Sequence, residues 1–172
     1  MKKIKQEVFI LAFCIALFPP IWAVLASHVG VTTGAVALIC AGLYVTNGNK
    51  VSDGVKISLG FLMGDFWAVF ALFIMHYLSF NKDINLFITL FVLGGLGVII
   101  SSLLSKWVFC PSLLCGWAIG LTILAPVGYG KLGTLPVQIG AAMLVGVWYV
   151  GVGVNKIQVA IEKCFGGKNK NE

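Results

Sequence analysis

Charge is what this sequence has least of. Only 10% of its 172 residues are Asp, Glu, Lys or Arg, where a soluble domain carries about 25%. Arginine is absent: all twelve basic residues are lysines, and there are only six acids. Polar helix faces, which a soluble helical domain needs, are missing over most of the chain. A soluble enzyme and a nucleic-acid binder are excluded together. The net charge of +6 does not restore nucleic acid as a partner, because the lysines lie outside the long apolar runs or at their ends.

Other absences narrow the function. There is no phosphate-binding or dinucleotide glycine motif, and no cofactor is implied. The five cysteines, Cys14, Cys40, Cys110, Cys115 and Cys164, lack metal-ligand spacing: "CPSLLC" has no His or second Cys pair nearby. They read as small apolar residues in a bilayer. Neither histidine has a deep Ser, Cys or carboxylate close in sequence, so an enzyme is not expected.

What remains is apolar residue, 59% of the chain, with a mean hydropathy of +1.00. A helix crossing a bilayer needs about 20 mostly apolar residues. The sequence predicts one all-α integral membrane domain over residues 1–172. Six spans are expected, near 7–27, 31–47, 55–79, 84–104, 107–127 and 134–158. Polar or Gly/Pro turns separate several of them: "NGNKVSDG" (47–54), "SFNKDIN" (79–85) and "PVGYGKLGTLP" (126–136). With the N-terminus inside, ten lysines lie on the cytoplasmic side. Only Lys82 and Lys131 lie outside. This bias predicts a bacterial inner-membrane protein with both termini, and the tail 159–172, in the cytoplasm. "MKKIKQEVFILAFCIALF" followed by "VLAS" resembles a signal peptide, but the internal repeat needs this span, so it is expected to be retained.

The repeat emerges when the chain is shifted by 78 positions against itself. Phe9 and Ile10 fall on Phe87 and Ile88, Phe13 on Phe91, Ile21 on Ile99, Leu25 on Leu103, Ser27 on Ser105, and Gly42-Leu43 on Gly120-Leu121. With a shift of 82, "LMGDFW" (62–67) falls on "LVGVWY" (144–149). A unit of three spans is odd, so the second copy (84–158) must be inverted relative to the first (7–79). Inverted repeats mark channels and secondary transporters, with the solute near the pseudo-two-fold axis. Pro19 and Pro20 interrupt the first span, and the equivalent positions in span four are Gly97 and Val98, after Gly94-Gly95. Matching breaks either point to a transport site or are packing kinks. The small-residue spacings Gly60/Gly64 and Gly116/Gly120, and the run Gly146, Gly151, Gly153, suit close helix packing. Six short spans enclose at most one narrow path, and a homo-oligomer is expected.

Asp65 is the one acid deep in a span. Glu7, Asp53, Asp83, Glu162 and Glu172 lie at ends or in loops. An Asp at a helix centre costs about 2.5–3.5 kcal/mol on insertion scales and is by default a functional-site hypothesis. The competing account is a structural Asp bonded to backbone, Tyr or Trp. Phe66 and Trp67 pair with Trp148 and Tyr149 in the repeat; the four either wall a narrow filter or simply pack. Tyr44 and Thr46 are further candidates. His28 and His76 fall near the outer face, where they could gate with pH or be incidental.

The stretch "GVTTGAVALICAGLYVTNGNKVSDGVKISLGFLMGDFWAVF" (30–70), with Gly64 and Trp67-Ala68 in a "G-x-x-W-A" helix after a Gly-rich turn, resembles the YcdZ-like bacterial inner-membrane proteins of unknown function. By architecture the chain is also similar to six-span urea/amide channels. Its "FPPIW" is not the Asn-Pro-Ala-Pro stretch of the acetate–succinate channels. The expected function is a channel or facilitator for a small polar solute, either a neutral urea- or amide-like molecule or a small amine or ammonium. The path would be lined by Asp65, Phe66, Trp67, Trp148, Tyr149, Pro19, Pro20 and Gly97. The alternatives are a proton-coupled transporter using Asp65, and a non-transporting membrane scaffold.

Overall fold

The computed structural model describes residues 6–78 and 81–166, and the side chains of 10, 12–78 and 81–161. Helix follows helix: α1 (Gln6–His28), α2 (Val36–Thr46), α3 (Val51–Tyr77), α4 (Lys82–Leu103) and α5 (Cys110–Leu124). A 3-10 turn at Tyr129–Lys131 leads into α6 (Leu135–Val145), a π-helical segment (Gly146–Gly153) and α7 (Val154–Gly166). The described residues contain no strand.

Three stretches are long and apolar enough to cross a membrane: Val51–Tyr77, Lys82–Leu103 and Leu135–Ile161. The apolar stretches Ala12–His28, Val36–Thr46 and Cys110–Leu124 are shorter. The molecule is a helical membrane protein. Its outward side chains agree: Phe87, Phe91, Ile99 and Leu103 of α4 are all more than half exposed. Lipid takes such a surface where water would not.

The helices depart from the expected spans in three places. Val51 to Gly54, expected in the turn 47–54, form the first turn of α3. Residues 31–35 are a turn, not the start of a span, so α2 begins at Val36. Gly30 turns at φ 78°, Val31 N–H bonds Ala26 O, and the Trp22 indole N–H donates to Gly34 O at 3.1 Å. Matching breaks in the first and fourth spans are absent. The chain stays helical through Pro19 and Pro20, and α4 is unbroken at Gly97. Proline is tolerated inside membrane helices because neighbouring groups re-satisfy the freed carbonyls. The irregularity lies instead in the last span, at the π-helical segment, a form that often marks functional sites.

Glycine sets the packing. A Cβ on Gly116 would lie 2.5 Å from Phe61 O, and one on Gly64 2.6 Å from Trp117 N. α3 and α5 therefore cross backbone to backbone. The second close crossing joins α2 to the π-helical segment, where a Cβ on Gly146 would lie 2.7 Å from Ala37 Cα and 2.8 Å from Cys40 Cβ. Around these crossings lies the main core of Tyr44, Ile57, Phe61, Trp67, Leu124, Ile139, Met143 and Val147, among others. α4 packs on α3 and α5, and α1 on α7 and the π-helical segment. A smaller cluster of Cys14, Ala37, Ala41, Val150 and Val154 fills the second contact.

Two stability predictions follow from this packing. Gly64→Ala should lower stability by about 1–3 kcal/mol through overpacking. Gly95→Ala, where an added Cβ meets nothing within 4 Å, should be neutral or gain up to about 1 kcal/mol of helix propensity. Denaturant titration in detergent reads both, and equal effects would refute the close crossing. Trp67→Phe removes the indole N–H that donates to Leu93 O at 3.0 Å. That carbonyl keeps the Gly97 N–H of its own helix ladder, so the same titration should show a loss of about 0.5–2 kcal/mol.

Candidate functional site

Asp65 lies on the face of α3 that carries Phe61, Ala68 and Leu72, all buried. Helical spacing of three and four residues puts these side chains in one stripe, so the carboxylate must point into the bundle. It is 7% exposed. Its neighbours are two bare backbones. Oδ1 lies 3.3 Å from where a Cβ of Gly120 on α5 would stand, and Oδ2 3.8 Å from that of Gly140 on α6. Two glycines thus make room for one carboxyl group. Among the described residues Oδ1 has no hydrogen-bond partner, although most buried polar atoms have one. The structural account weighed for Asp65, a bond to backbone, Tyr or Trp, finds no support at Oδ1.

From Asp65 a groove of about 430 Å³ opens between α3 and α6. Leu62, Phe66 and Val69 form one wall, and Pro136, Val137 and Leu144 the other. Among the described residues Asp65 is the single ionisable group lining it. Phe66 and Val137 at its rim are 64% and 75% exposed, so the groove opens along the side of the bundle.

The four aromatic side chains do not form one ring. Phe66 lines the Asp65 groove and lies parallel to Phe70, their centroids 6.5 Å apart. Trp67 turns towards α4, bonding Leu93 O over Gly97, whose added Cβ would lie 3.5 Å from the indole nitrogen. Trp148 lies on α3 near its start, donating to Ser58 Oγ at 3.0 Å with its ring over Gly54. Tyr149 meets Phe18 of α1 edge-on, at 6.1 Å. Pro19 and Pro20 lie within α1, which α3 and α6 do not share as a groove wall. The structure brings Phe66 to Asp65 and sends the other predicted path residues to separate contacts.

His28 ends α1 and is exposed, as is His76 near the end of α3. His76 sits 5.6 Å from Tyr129 and 5.2 Å from Tyr77, ring centroid to centroid. It borders a hollow shared with Lys82 and Asn85. Thr32 N–H and Oγ1 both bond Gln138 Oε1, which places the end of α1 beside the start of α6. Tyr44 is buried, and its hydroxyl donates to Asn49 O at 3.0 Å. Thr46 lines a second cavity, of about 290 Å³, between α1, α2 and the last span, with Asn49, Asn155 and Gln158 at its polar end.

Gly140 and that second cavity escaped the sequence. Gly140 follows Pro136 by one helical turn, as Gly64 follows Gly60, and this spacing was the available signal. The cavity had none, because Asn49 and Asn155 are far apart in the chain and Asn155 Nδ2 reaches Asn49 O only in the fold. No group of three His, Cys, Asp or Glu capable of holding a metal ion occurs among the described residues. Cys14, Cys40, Cys110 and Cys115 are free, while the Cys164 side chain lies outside the described residues.

No curated protein and no solved structure matches the chain. One family pattern does, over residues 12–158, which include Asp65 and both of its glycines. The chain belongs to the family described as "Protein of unknown function (DUF1097)".

Proposed function

We infer that the protein is a channel or facilitator for a small polar solute, with one path per protomer and no catalytic role. The observation that carries this is the Asp65 carboxylate: nine-tenths buried, held between Gly120 and Gly140, with one oxygen unpartnered. An acid without a partner inside apolar helices is costly, and such a residue is by default a functional-site hypothesis. A passing solute with hydrogen-bond donors supplies the missing partner. Urea-like amides, ammonium and small amines all fit that description. The resemblance to YcdZ-like proteins and, by architecture, to urea/amide channels belongs to this proposal.

The fold would be two inverted three-helix halves. Several pairs of contacts support the repeat. Gly64 and Gly146, which coincide under the shift of 82, make the two close crossings, with α5 and α2 respectively. Trp67 packs on α4 as Tyr149 packs on α1. Phe66 lies beside Pro136 and Gly140, and Trp148 over Gly54 and Ser58; these positions also coincide under that shift. Such a crossed arrangement puts the central pair, α3 and the last span, at the pseudo-two-fold axis, where solute sites of inverted repeats lie.

Orientation belongs to the same proposal. Lys56 and Lys106 border one hollow, and Lys82 shares another with His76. This supports the bias of lysine toward one face, hence a bacterial inner membrane with cytoplasmic termini. A homo-oligomer would cover part of the broad apolar surface. His28 and His76 would stand at the outer face as a pH-sensitive entrance.

A proton-coupled transporter is the second reading, favoured by the same carboxylate, which could carry a proton. A scaffold without transport leaves the unpartnered oxygen unexplained. In proteoliposomes, uptake of urea or methylammonium should run downhill without a pH gradient and fall about tenfold or more in Asp65→Asn and Asp65→Ala. Accumulation that collapses with the gradient would select the coupled transporter. Flux unchanged in both variants would remove Asp65 from the path.

A further inference from the structure

The groove beside Asp65 has a shape and chemistry that select among the donors just named. It is far larger than an ammonium ion needs, at about 430 Å³. Its walls are aliphatic and aromatic, and it contributes one acid and no side-chain donor. We propose that it binds a hydrophobic primary amine in its cationic form, the ammonium head on Asp65 and the hydrocarbon body along α3 and α6. This deepens the reading above and rests on its view of Asp65 as solute-facing, but it requires binding only and not transport.

Charge complementarity is the first argument. No Lys or His lines the groove, and the chain has no Arg. A buried carboxyl group is neutralised by a proton or paired with a counter-charge, and in this groove the counter-charge would come from a ligand. The bond would be charge-assisted, the stronger class.

Donor balance is the second. A neutral amide or urea brings a carbonyl as well as N–H groups. Beside Asp65 and Gly140 that carbonyl meets no side-chain donor: the walls are Leu, Phe, Val, Pro and Ala, and the N–H groups of the helix interior are committed to their own carbonyls, the first turn of α6 at the rim excepted. An unpaired buried acceptor weakens binding. A primary ammonium has three donors and no acceptor: two can reach the carboxylate oxygens, and the third can share a helix carbonyl, which keeps a second lone pair.

Apolar area is the third. Leu62, Val69, Val137 and Leu144 reward burial of a hydrocarbon body in proportion to its area. The Phe66 ring, 64% exposed at the rim, adds aromatic surface to the same apolar wall. Because the rim faces sideways, the amine would enter from the bilayer, where such amphiphiles concentrate. Gly140, which lines the groove, lets the ammonium approach the carboxylate, since a Cβ there would stand 3.8 Å from Oδ2.

The test is equilibrium binding of radiolabelled hexylammonium to the full-length protein in nanodiscs, with empty nanodiscs subtracted. Saturable binding of one amine per chain is expected. Unlabelled hexanamide should compete about tenfold or more weakly than unlabelled hexylammonium, and Asp65→Asn should lose about tenfold or more in affinity. Val137→Trp, at an exposed rim position that bears no load in the core, should weaken binding several-fold by narrowing the groove. No saturable excess, equal competition by hexanamide, or unchanged affinity in both variants overturns the proposal. If amine binds but no solute crosses proteoliposomes, the channel reading falls and this site stands. If solute crosses and amine does not bind, the site falls and the channel stands.

Discussion

The backbone crossing of α3 and α5 is the constraint on which the site depends. In a bilayer no hydrophobic force draws helices together, so association rests on close van der Waals packing and on small residues that permit it. Gly64 and Gly116 bring the two backbones to a separation that a single methyl group would not fit. That contact fixes the rotation of α3. Asp65 is the next residue after Gly64, and Gly120 is one turn beyond Gly116. Once the glycines touch, the carboxylate has to lie against Gly120, with its other oxygen towards Gly140. The acid is buried because its neighbour's contact leaves it no other direction.

The same crossing explains why an unpartnered oxygen persists. Glycines offer space and no side chain, so α5 and α6 present backbone already committed to helical bonds. A donor-bearing side chain at 120 would not fit, because even a Cβ there would stand 2.5 Å from that of Ala68. The space adjoins an apolar groove open to the side of the bundle. Rigid walls, one charge and lateral access together describe a place that can accept a ligand, rather than a polar network that fastens helices.

Much of this was readable from the sequence. The membrane class followed from the scarcity of charge, and the ends of α1 and α4 from long apolar runs bounded by polar turns. Asp65 stood out because an acid amid apolar residues has few neutral explanations. Less was readable where the third dimension decides. Apolar runs look alike whether they face lipid or core, so the directions of Trp67, Trp148 and Tyr149 could not be read from spacing alone. Pro19-Pro20 suggested a break that lipid surroundings suppress, while the π-helical segment carries no proline. Its three glycines were legible as packing, but the wide turn comes from how Gly146 and Gly151 must both meet α2, against Ala37 and Tyr44.

In the proposed repeat the two central spans differ at two points, and the differences fall together. Asp65 coincides with Val147, which is fully buried, so the carboxylate has no twin. The π-helical segment begins at Gly146, the twin of Gly64, while α3 stays α-helical there. One half has gained a charge and a groove; the other has gained a widened turn and filled the equivalent place, with Trp148 lying over Gly54 and bonded to Ser58. Perfect symmetry would have placed two acids at the axis, each repelling the other and each needing a partner. A single acid needs no second partner, and the groove beside it lies between α3 and α6, while the twin position is closed by an indole lying over Gly54.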